Sequence, residues 1–512
     1  MAIIEPVEAP PGSRRLYRLR NPATLEPAGE FEAATAEEVR NALESARKAQ
    51  PDWAELGFDE RARYMDRAIH ALVERQDDVL EVVLRETGKA RTEVIAAEIL
   101  AGCEALSYYA TRAGEILRTR KRRMPGLKGL TRQLRIVYRP LGVAGIITPW
   151  SAPFILSLNP TVQALMAGNT VLLKPTEVTP YSGKLVGDLF EAAGLPKGVL
   201  NVLLGDAETG AALTGAGVDK ISFTGSVATG RKVAEACARQ LIPCTLELGG
   251  KNPMIVCADA NLDRAVNGAL AGAFASAGQV CWGTQRVYVV DEVYDEFTRK
   301  VVKKVAELRQ GAEGEFDVGA ISGQEQLEAI QRQVEDARHK GARVLAGGRR
   351  NPDLTGLFYE PTVMVDVNHD MELIREESFG PVLPIMCVRD EEEAIRLAND
   401  TRYGLNANVW TRDKRKGCEI AARLETGGVC VNEVGMTYGV QDAPFGGRKE
   451  SGLGQSNGEI GLQGNCHALP IIVSRFGGKK VHRGYPYRRK SEDGLQRLIR
   501  IVWGSRLGRW LG

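Results

Sequence analysis

The sequence predicts an α/β fold built on a mainly parallel sheet. Three observations predict it. Short apolar segments rich in β-branched residues alternate with helical stretches from about residue 134 to 388. No self-similarity at a period of about 20–50 residues marks a solenoid. No Gly/Ser-rich or Pro-rich linker divides the chain, so its halves are expected to share an interface with a site between them.

Residues 34–116 repeat apolar positions at helical spacing, and the basic run RTRKRR at 118–123 closes them as a solvated connector. Next, LRIVYRPLGVAGIITPW at 134–150 reads as strands. The uncharged stretch 141–173 is long enough to suggest a membrane span, but Pro149, Pro153, Pro160, Asn159, Gln163 and Asn169 interrupt it. A buried strand–turn–helix–strand passage is expected instead. Strands are predicted at 170–173, 199–204, 220–223 and 252–257, with helices at 182–193 and 207–214 between them. A second α/β stretch opens near Leu262. It holds a helix at 262–277, a strand at 285–290, helices at 294–309 and 324–340, and strands at 359–365 and 382–388.

The 512 residues allow two to four domains at about 100–200 residues each. A 44% apolar and 26% charged composition excludes wholesale disorder, and a net charge of +2 excludes a polyelectrolyte built for nucleic acid. The charge is uneven. Residues 475–512 hold 11 Lys/Arg against 2 Asp/Glu, so the tail carries +9 and the remaining chain −7. Such a tail suggests an anionic partner. Nine cysteines without a CxxC pair fit a reducing compartment, and the expected location is the cytoplasm. The five histidines lack metal-ligand spacing, so no metal is expected. The opening MAIIEPVEAPPGSRR does not read as a signal peptide.

Four motifs carry candidate chemistry. Cys281, in Gly278-Gln-Val-Cys281-Trp282, offers a thiol nucleophile, and no adjacent histidine suggests a Cys–His protease pair. A buried packing role is the alternative. Glu247, in Leu246-Glu247-Leu248-Gly249-Gly250, is a structural ion-pair partner or, if partly buried, a general base. Phe223-Thr-Gly225-Ser226-Val-Ala-Thr-Gly230 follows a strand and opens a helix whose N–H groups could hold a phosphate; a plain strand–helix turn looks the same. Lys174-Pro-Thr-Glu177 ends a strand, where Lys and Glu could bond ribose hydroxyls or form an ordinary charged turn.

Taken together and in order, these motifs resemble the aldehyde dehydrogenase superfamily over about residues 20–475. Thr148-Pro149-Trp150, Glu377-Ser-Phe379-Gly-Pro381 and Pro444-Phe-Gly-Gly447 complete the match, as does the 34-residue step from Glu247 to Cys281. The resemblance implies a Rossmann-like NAD-binding domain (15–123 and 142–248) and an α/β catalytic domain (249–448). It also implies a small β oligomerisation element (124–141 and 449–475), followed by the basic tail 476–512. Cys281 would attack an aldehyde and form a thiohemiacetal, hydride would leave to the nicotinamide, and Glu247 would activate water to hydrolyse the acyl-enzyme. Thr148, Pro149, Trp150, Lys174, Glu177, Gly225, Ser226, Gly230, Leu248, Gly249, Glu377 and Phe379 match cofactor positions. Glu177 favours NAD, because a carboxylate repels a 2′-phosphate, with NADP still open. The presence of Glu247 favours release of a free acid over transfer to coenzyme A. A homo-oligomer, dimer or tetramer, is expected, and no nucleic-acid partner.

The sequence departs from the family at Ser151, where an asparagine usually donates to the oxyanion; losing such a donor costs about 10²–10³-fold in rate. Pro160 and His467 fall where many members carry a lysine and a glutamate of a proton route, and His467 could itself relay a proton or serve in packing. Phe154, Ile155, Leu156 and Trp282 suggest an apolar substrate tunnel, and residues 151–163 hold no arginine for a substrate carboxylate. An apolar aldehyde is expected, with a succinate-semialdehyde-type enzyme, a CoA-acylating enzyme or a non-catalytic membrane-associated member as alternatives. In the tail, LQRLIRIVW places Leu495, Leu498, Ile499, Val502 and Trp503 on one helical face, with Arg497 and Arg500 opposite. Leu507, Trp510 and Leu511 extend the apolar side. This pattern suits the headgroup region of an anionic membrane, or docking on the protein itself.

Overall fold

The computed structural model describes residues 3–7, 14–124, 126–477, 485 and 487–504. Leu507, Trp510 and Leu511 lie outside the described residues.

Two parallel sheets organise the chain. The first has six strands in the order Gly452–Leu453, Cys244–Glu247, Lys220–Thr224, Val143–Ile147, Thr170–Lys174, Leu200–Val202. All pair in parallel except Gly452–Leu453, which runs antiparallel to Cys244–Glu247. Val143–Ile147 and Thr170–Lys174 are buried throughout, which is why they read as continuous apolar runs. Helices cover both faces. On one, Leu72, Val83, Tyr109, Phe154, Leu165 and Phe190 form a core against Ile146 and Leu173. On the other, Val39, Leu213 and Val233 close over Ile221 and Phe223.

The second sheet has seven strands: Arg343–Ala346, Thr362–Val365, Val382–Val388, Arg286–Val290, Pro253–Val256, Asn406–Trp410 and Gly428–Val431. Only Arg343–Ala346 is antiparallel to its neighbour. Helices Leu262–Phe274, Asp291–Val305 and Gln324–His339 supply Val266, Phe297, Val301 and Ile330 to the core on one face. Ile395, Ile420 and Leu424 close the other. Two three-stranded antiparallel sheets flank these, Ile4–Val7 with Leu16–Arg20 and Pro27–Glu32, and Arg120–Arg122 with Arg132–Pro140 and Cys466–Ser474.

Several expectations need correction. The connector 118–123 contributes the strand Arg120–Arg122, which pairs with Arg132–Pro140. Gly452–Leu453, expected in the oligomerisation element, is instead an edge strand of the first sheet, because the carboxyl end of Cys244–Glu247 had an unpaired side for it. The helix expected over 262–277 ends at Phe274, since Ser276 and Ala277 turn left-handed at φ 51° and 54°. The strands Asn406–Trp410 and Gly428–Val431 carried no signal in the sequence reading; polar Asn406 and Asn408 break the apolar run of the first. The tail forms the helix Arg489–Gly504.

Candidate active site

In an open parallel sheet, ligands bind at the carboxyl ends of the strands, where neighbouring connections diverge. Here the chain crosses to either side of Val143–Ile147: two strands continue one way, and Lys220–Thr224 and Cys244–Glu247 lie the other. The residues that leave these carboxyl ends are Thr148 to Trp150, Lys174, Gly225 with Ser226, and Leu248 with Gly249. The fold thus brings the expected cofactor residues to one edge.

Their local geometry follows from simple constraints. Ser226 caps the Val227–Gln240 helix by accepting from the Thr229 N–H at 3.3 Å, which aims the free N–H groups of the first turn at the edge. A Cβ on Gly225 would stand 2.7 Å from the Phe223 ring, and one on Gly230 would stand 2.5 Å from Leu248, so a side chain at either position would require its neighbour to shift. Buried Lys174 pairs with Glu177 at 3.1 Å. Thr148 donates its N–H to the Lys174 carbonyl and shares a 2.8 Å hydrogen bond with Ser157.

After Glu247 the chain crosses to the second sheet through Leu248–Asn252 and enters the strand Pro253–Val256. This second sheet offers the amino ends of its strands to the crossing. Cys281 lies ahead of Arg286–Val290, and Glu377 and Phe379 lie ahead of Val382–Val388. Asn252 ties the seam: its amide donates to the carbonyls of Cys281 (2.7 Å) and Gly283 (2.8 Å), and its oxygen accepts the Asn406 N–H. Glu377 accepts the Gly250 N–H at 2.8 Å. A Cβ on Gly249 would stand 2.3 Å from the Glu377 carboxylate. Phe379, at φ 45°, meets Trp150 edge to face with centroids 5.4 Å apart.

The electrostatics are those of buried acids around a thiol. Burial pushes Glu247 and Glu377 up to about 7, so each exchanges its proton near neutrality. Burial, then the Glu247 charge, then the Glu377 charge push the Cys281 thiol up to about 12. Both carboxylates therefore act on the sulfur, and their charge favours its protonated form.

Ser456 was missed by the sequence reading; its hydroxyl donates to Glu247. His467, by contrast, lies exposed on the strand Cys466–Ser474 opposite Arg139, because the antiparallel register carries it into that sheet. Pro160 lies within the Pro153–Met166 helix and, with Gln163, Lys220 and Ser456, lines a cavity of about 10 Å³. Phe154, expected on a tunnel wall, is fully buried among the helices, with its ring beside Gly102. Ile155 and Leu156 do pack against Tyr438, and half-buried Trp282 lies over Gly435. Ser151 is buried in the turn before the Pro153–Met166 helix, and its carbonyl accepts from Lys89 at 2.5 Å. Away from the seam, Cys257, Asp259 and Glu391 converge as metal ligands would, but the Lys416 ammonium pairs with both acids.

The comparisons agree with this architecture. The aldehyde dehydrogenase family model matches residues 9–468. The chain belongs to the aldehyde dehydrogenase family. Among its relatives is the 4,4'-diapolycopene aldehyde oxidase of a Methylomonas species, 38% identical over 93% of this chain and 89% of the relative. A Mycolicibacterium smegmatis protein assigned as a succinate-semialdehyde dehydrogenase using NADP(+) is 40% identical over 86% of this chain and 85% of its own length. The crystal structure of a Mycobacterium tuberculosis aldehyde dehydrogenase complexed with NAD+ superposes with a TM-score of 0.86 at 34% identity, covering 93% of this chain and 98% of that one. As an aldehyde dehydrogenase, the protein is an oxidoreductase. Its residues fit a dinucleotide: a capped helix end stands at the carboxyl edge of the first sheet, and an aromatic pair and a half-buried carboxylate stand across the seam.

Proposed function

We propose that this aldehyde dehydrogenase oxidises an apolar aldehyde to the carboxylic acid with NAD, through Cys281 and Glu247. The observation that carries the reading is geometric: at the seam between the two sheets, the loop bearing Cys281 is tied to Asn252, five residues beyond Glu247 at the end of its strand, with Glu377 anchored on the intervening Gly250. As Cys281 Sγ adds to the aldehyde carbon, the thiol proton passes to Glu247, directly or through water. Ser151 offers a hydroxyl to the developing oxyanion. NAD bound there would supply the acceptor for the hydride released by the thiohemiacetal carbon. Glu247 then removes a proton from the water that cleaves the thioester. Lys174 and Glu177 would hold one end of the dinucleotide, and Glu377, Trp150 and Phe379 the other. The Glu177 carboxylate favours a free ribose 2′-hydroxyl over a 2′-phosphate.

An apolar aldehyde is supported by Ile155 and Leu156 against Tyr438, by Trp282 beside Gly435, and by the absence of arginine at 151–163. The relative named for diapolycopene aldehyde agrees. Relatives named for succinate semialdehyde favour the second reading, a polar substrate with NADP. Hexanal, decanal and succinate semialdehyde, each assayed with NAD and NADP on wild type and Cys281→Ala, separate the two. The expected result is higher kcat/KM for decanal with NAD, and no turnover by the variant. Preference for succinate semialdehyde would overturn the substrate assignment, and turnover by Cys281→Ala would overturn the mechanism.

We also read the tail as a contact for an anionic membrane surface. Leu495, Leu498, Ile499 and Trp503 are exposed on the Arg489–Gly504 helix among arginines, while Val502 is buried. No helix among the described residues is long and apolar enough to cross a membrane. We further assign the exposed apolar strand residues Ile471, Ile472 and Val473 to contact between copies of the chain.

A further inference from the structure

The mechanism places Ser151 and Cys281 on two separate loops, and neither loop is stiff by its own sequence. Ser151 lies in the turn between the strand Val143–Ile147 and the helix Pro153–Met166. Cys281 follows three residues in left-handed conformation, Ser276, Ala277 and Gly278, two of which carry side chains that disfavour it. Something outside the loops must hold them. One short stretch of chain touches both.

That stretch runs from Lys89 to Leu100. Within it, Ile95–Leu100 is wound as a π-helix between two α-helical segments, a wide turn that recurs at functional sites. The wide turn places Glu98 fully inside the protein. One Glu98 oxygen accepts the N–H groups of Phe154 (3.1 Å) and Ile155 (2.9 Å), the first turn of the helix that follows Ser151. The other accepts the Lys89 ammonium at 3.1 Å. Lys89, itself buried, donates also to the Ser151 carbonyl at 2.5 Å. Five residues before Glu98, Glu93 reaches the opposite way. Its carboxylate accepts the Ser276 N–H at 2.6 Å, at the first of the three left-handed residues. Its second oxygen is buried and has no partner among the described residues.

Such an arrangement is expensive as mere packing. A buried charged pair seldom adds stability over an apolar replacement of the same shape. It does fix geometry, because each charge tolerates few alternative positions once its partners are set. We propose that Lys89, Glu93 and Glu98 are positioning residues that hold the Ser151 turn and the Cys281 loop in register with each other. Glu98 and Lys89 set the Ser151 side, and Glu93 sets the Cys281 side. Because both anchors grow from one rigid stretch, the spacing of oxyanion donor and nucleophile is fixed from a third point. The roles of the two loops rest on the function proposed above; the clamp itself can be read without it.

The test uses the full chain and three variants: Glu93→Ala, Glu93→Gln, and the paired Lys89→Met/Glu98→Gln, which removes both buried charges while keeping their bulk. Three quantities are read: kcat and KM for aldehyde and NAD, the rate of iodoacetamide alkylation of Cys281 by peptide mass spectrometry, and amide exchange of peptides 150–158 and 274–284. Glu93→Ala is expected to lower kcat about 10–100-fold with KM for NAD within about twofold, since a displacement near 1 Å is enough for that. It should also change Cys281 alkylation and speed exchange at 274–284. Glu93→Gln keeps an oxygen acceptor for Ser276 and should restore most of kcat and exchange. The paired variant should speed exchange at 150–158 and lower kcat in the same way. The clamp is overturned if Glu93→Ala or the paired variant leaves kcat, alkylation and exchange at wild-type values, or if Glu93→Gln is as impaired as Glu93→Ala. If Glu93→Ala does not fold, the paired variant and Glu93→Gln decide alone. If wild type oxidises no aldehyde, the functional reading fails, while alkylation and exchange still decide the clamp.

Discussion

At the scale of single residues, pH acts chiefly through Glu247. Its carboxyl is held up to about 7 by burial, and the Ser456 hydroxyl, which donates to the ionised form, pulls it down. Below that value Glu247 keeps its proton and cannot serve as a base, so kcat is expected to rise as the pH climbs through about 7. Ser456→Ala removes the donor that favours the charged form, so the rising limb should move to higher pH with the plateau largely kept. A pH profile for Ser456→Ala that superimposes on wild type would show that the hydroxyl does not tune the carboxylate. The contact joins residues 209 positions apart, and nothing near Ser456 in the sequence marks it.

At the scale of elements, buried acids also serve as helix anchors. Glu86 accepts the N–H groups of Tyr181 and Ser182, both at 2.8 Å, and so fixes the start of the Pro180–Ala192 helix that closes the cofactor side. Burial raises Glu86 from 4.5 to about 7. A raised carboxyl favours the folded state most while it is protonated. Its contribution is full below about pH 4.5 and is lost as pH rises through about 7. Glu86→Gln cannot ionise and should lack this dependence. In urea titrations at several pH values, wild type should lose stability relative to Glu86→Gln between pH 4.5 and 7, with a constant offset at lower pH. A constant offset across the whole range would refute the assignment. The elements themselves were largely legible. The strands near 170, 220, 253 and 382 were expected from short apolar runs. The early end of Leu262–Phe274 was not, because Ser276 and Ala277 have no local reason to turn left-handed; Glu93 and the packing of Gly278 against Gly380 hold them there.

At the scale of the molecule, the charge is split between a −7 body and a +9 tail. If the Arg489–Gly504 helix serves an anionic membrane, removing residues 485–512 should abolish sedimentation with phosphatidylserine vesicles, while oxidation of a short aldehyde persists. Unchanged sedimentation of the truncated chain would refute the membrane reading. Loss of oxidation of short aldehydes would instead assign the tail to the enzyme body.

The sequence by itself determined the α/β class, the order of most strands and helices, and the motifs that name the family. These are local properties: the period of apolar residues, the glycines that turns and close approaches require, and short runs whose residue types suit one chemistry. Only the tertiary structure decided which side chains meet. Ser456 rather than His467 reaches Glu247, Phe154 packs into the helical core, and Lys89, Glu93 and Glu98 converge on two loops far along the chain. Those outcomes depend on how two sheets abut and on strand registers between distant segments, and periodicity within any one segment carries no information about them.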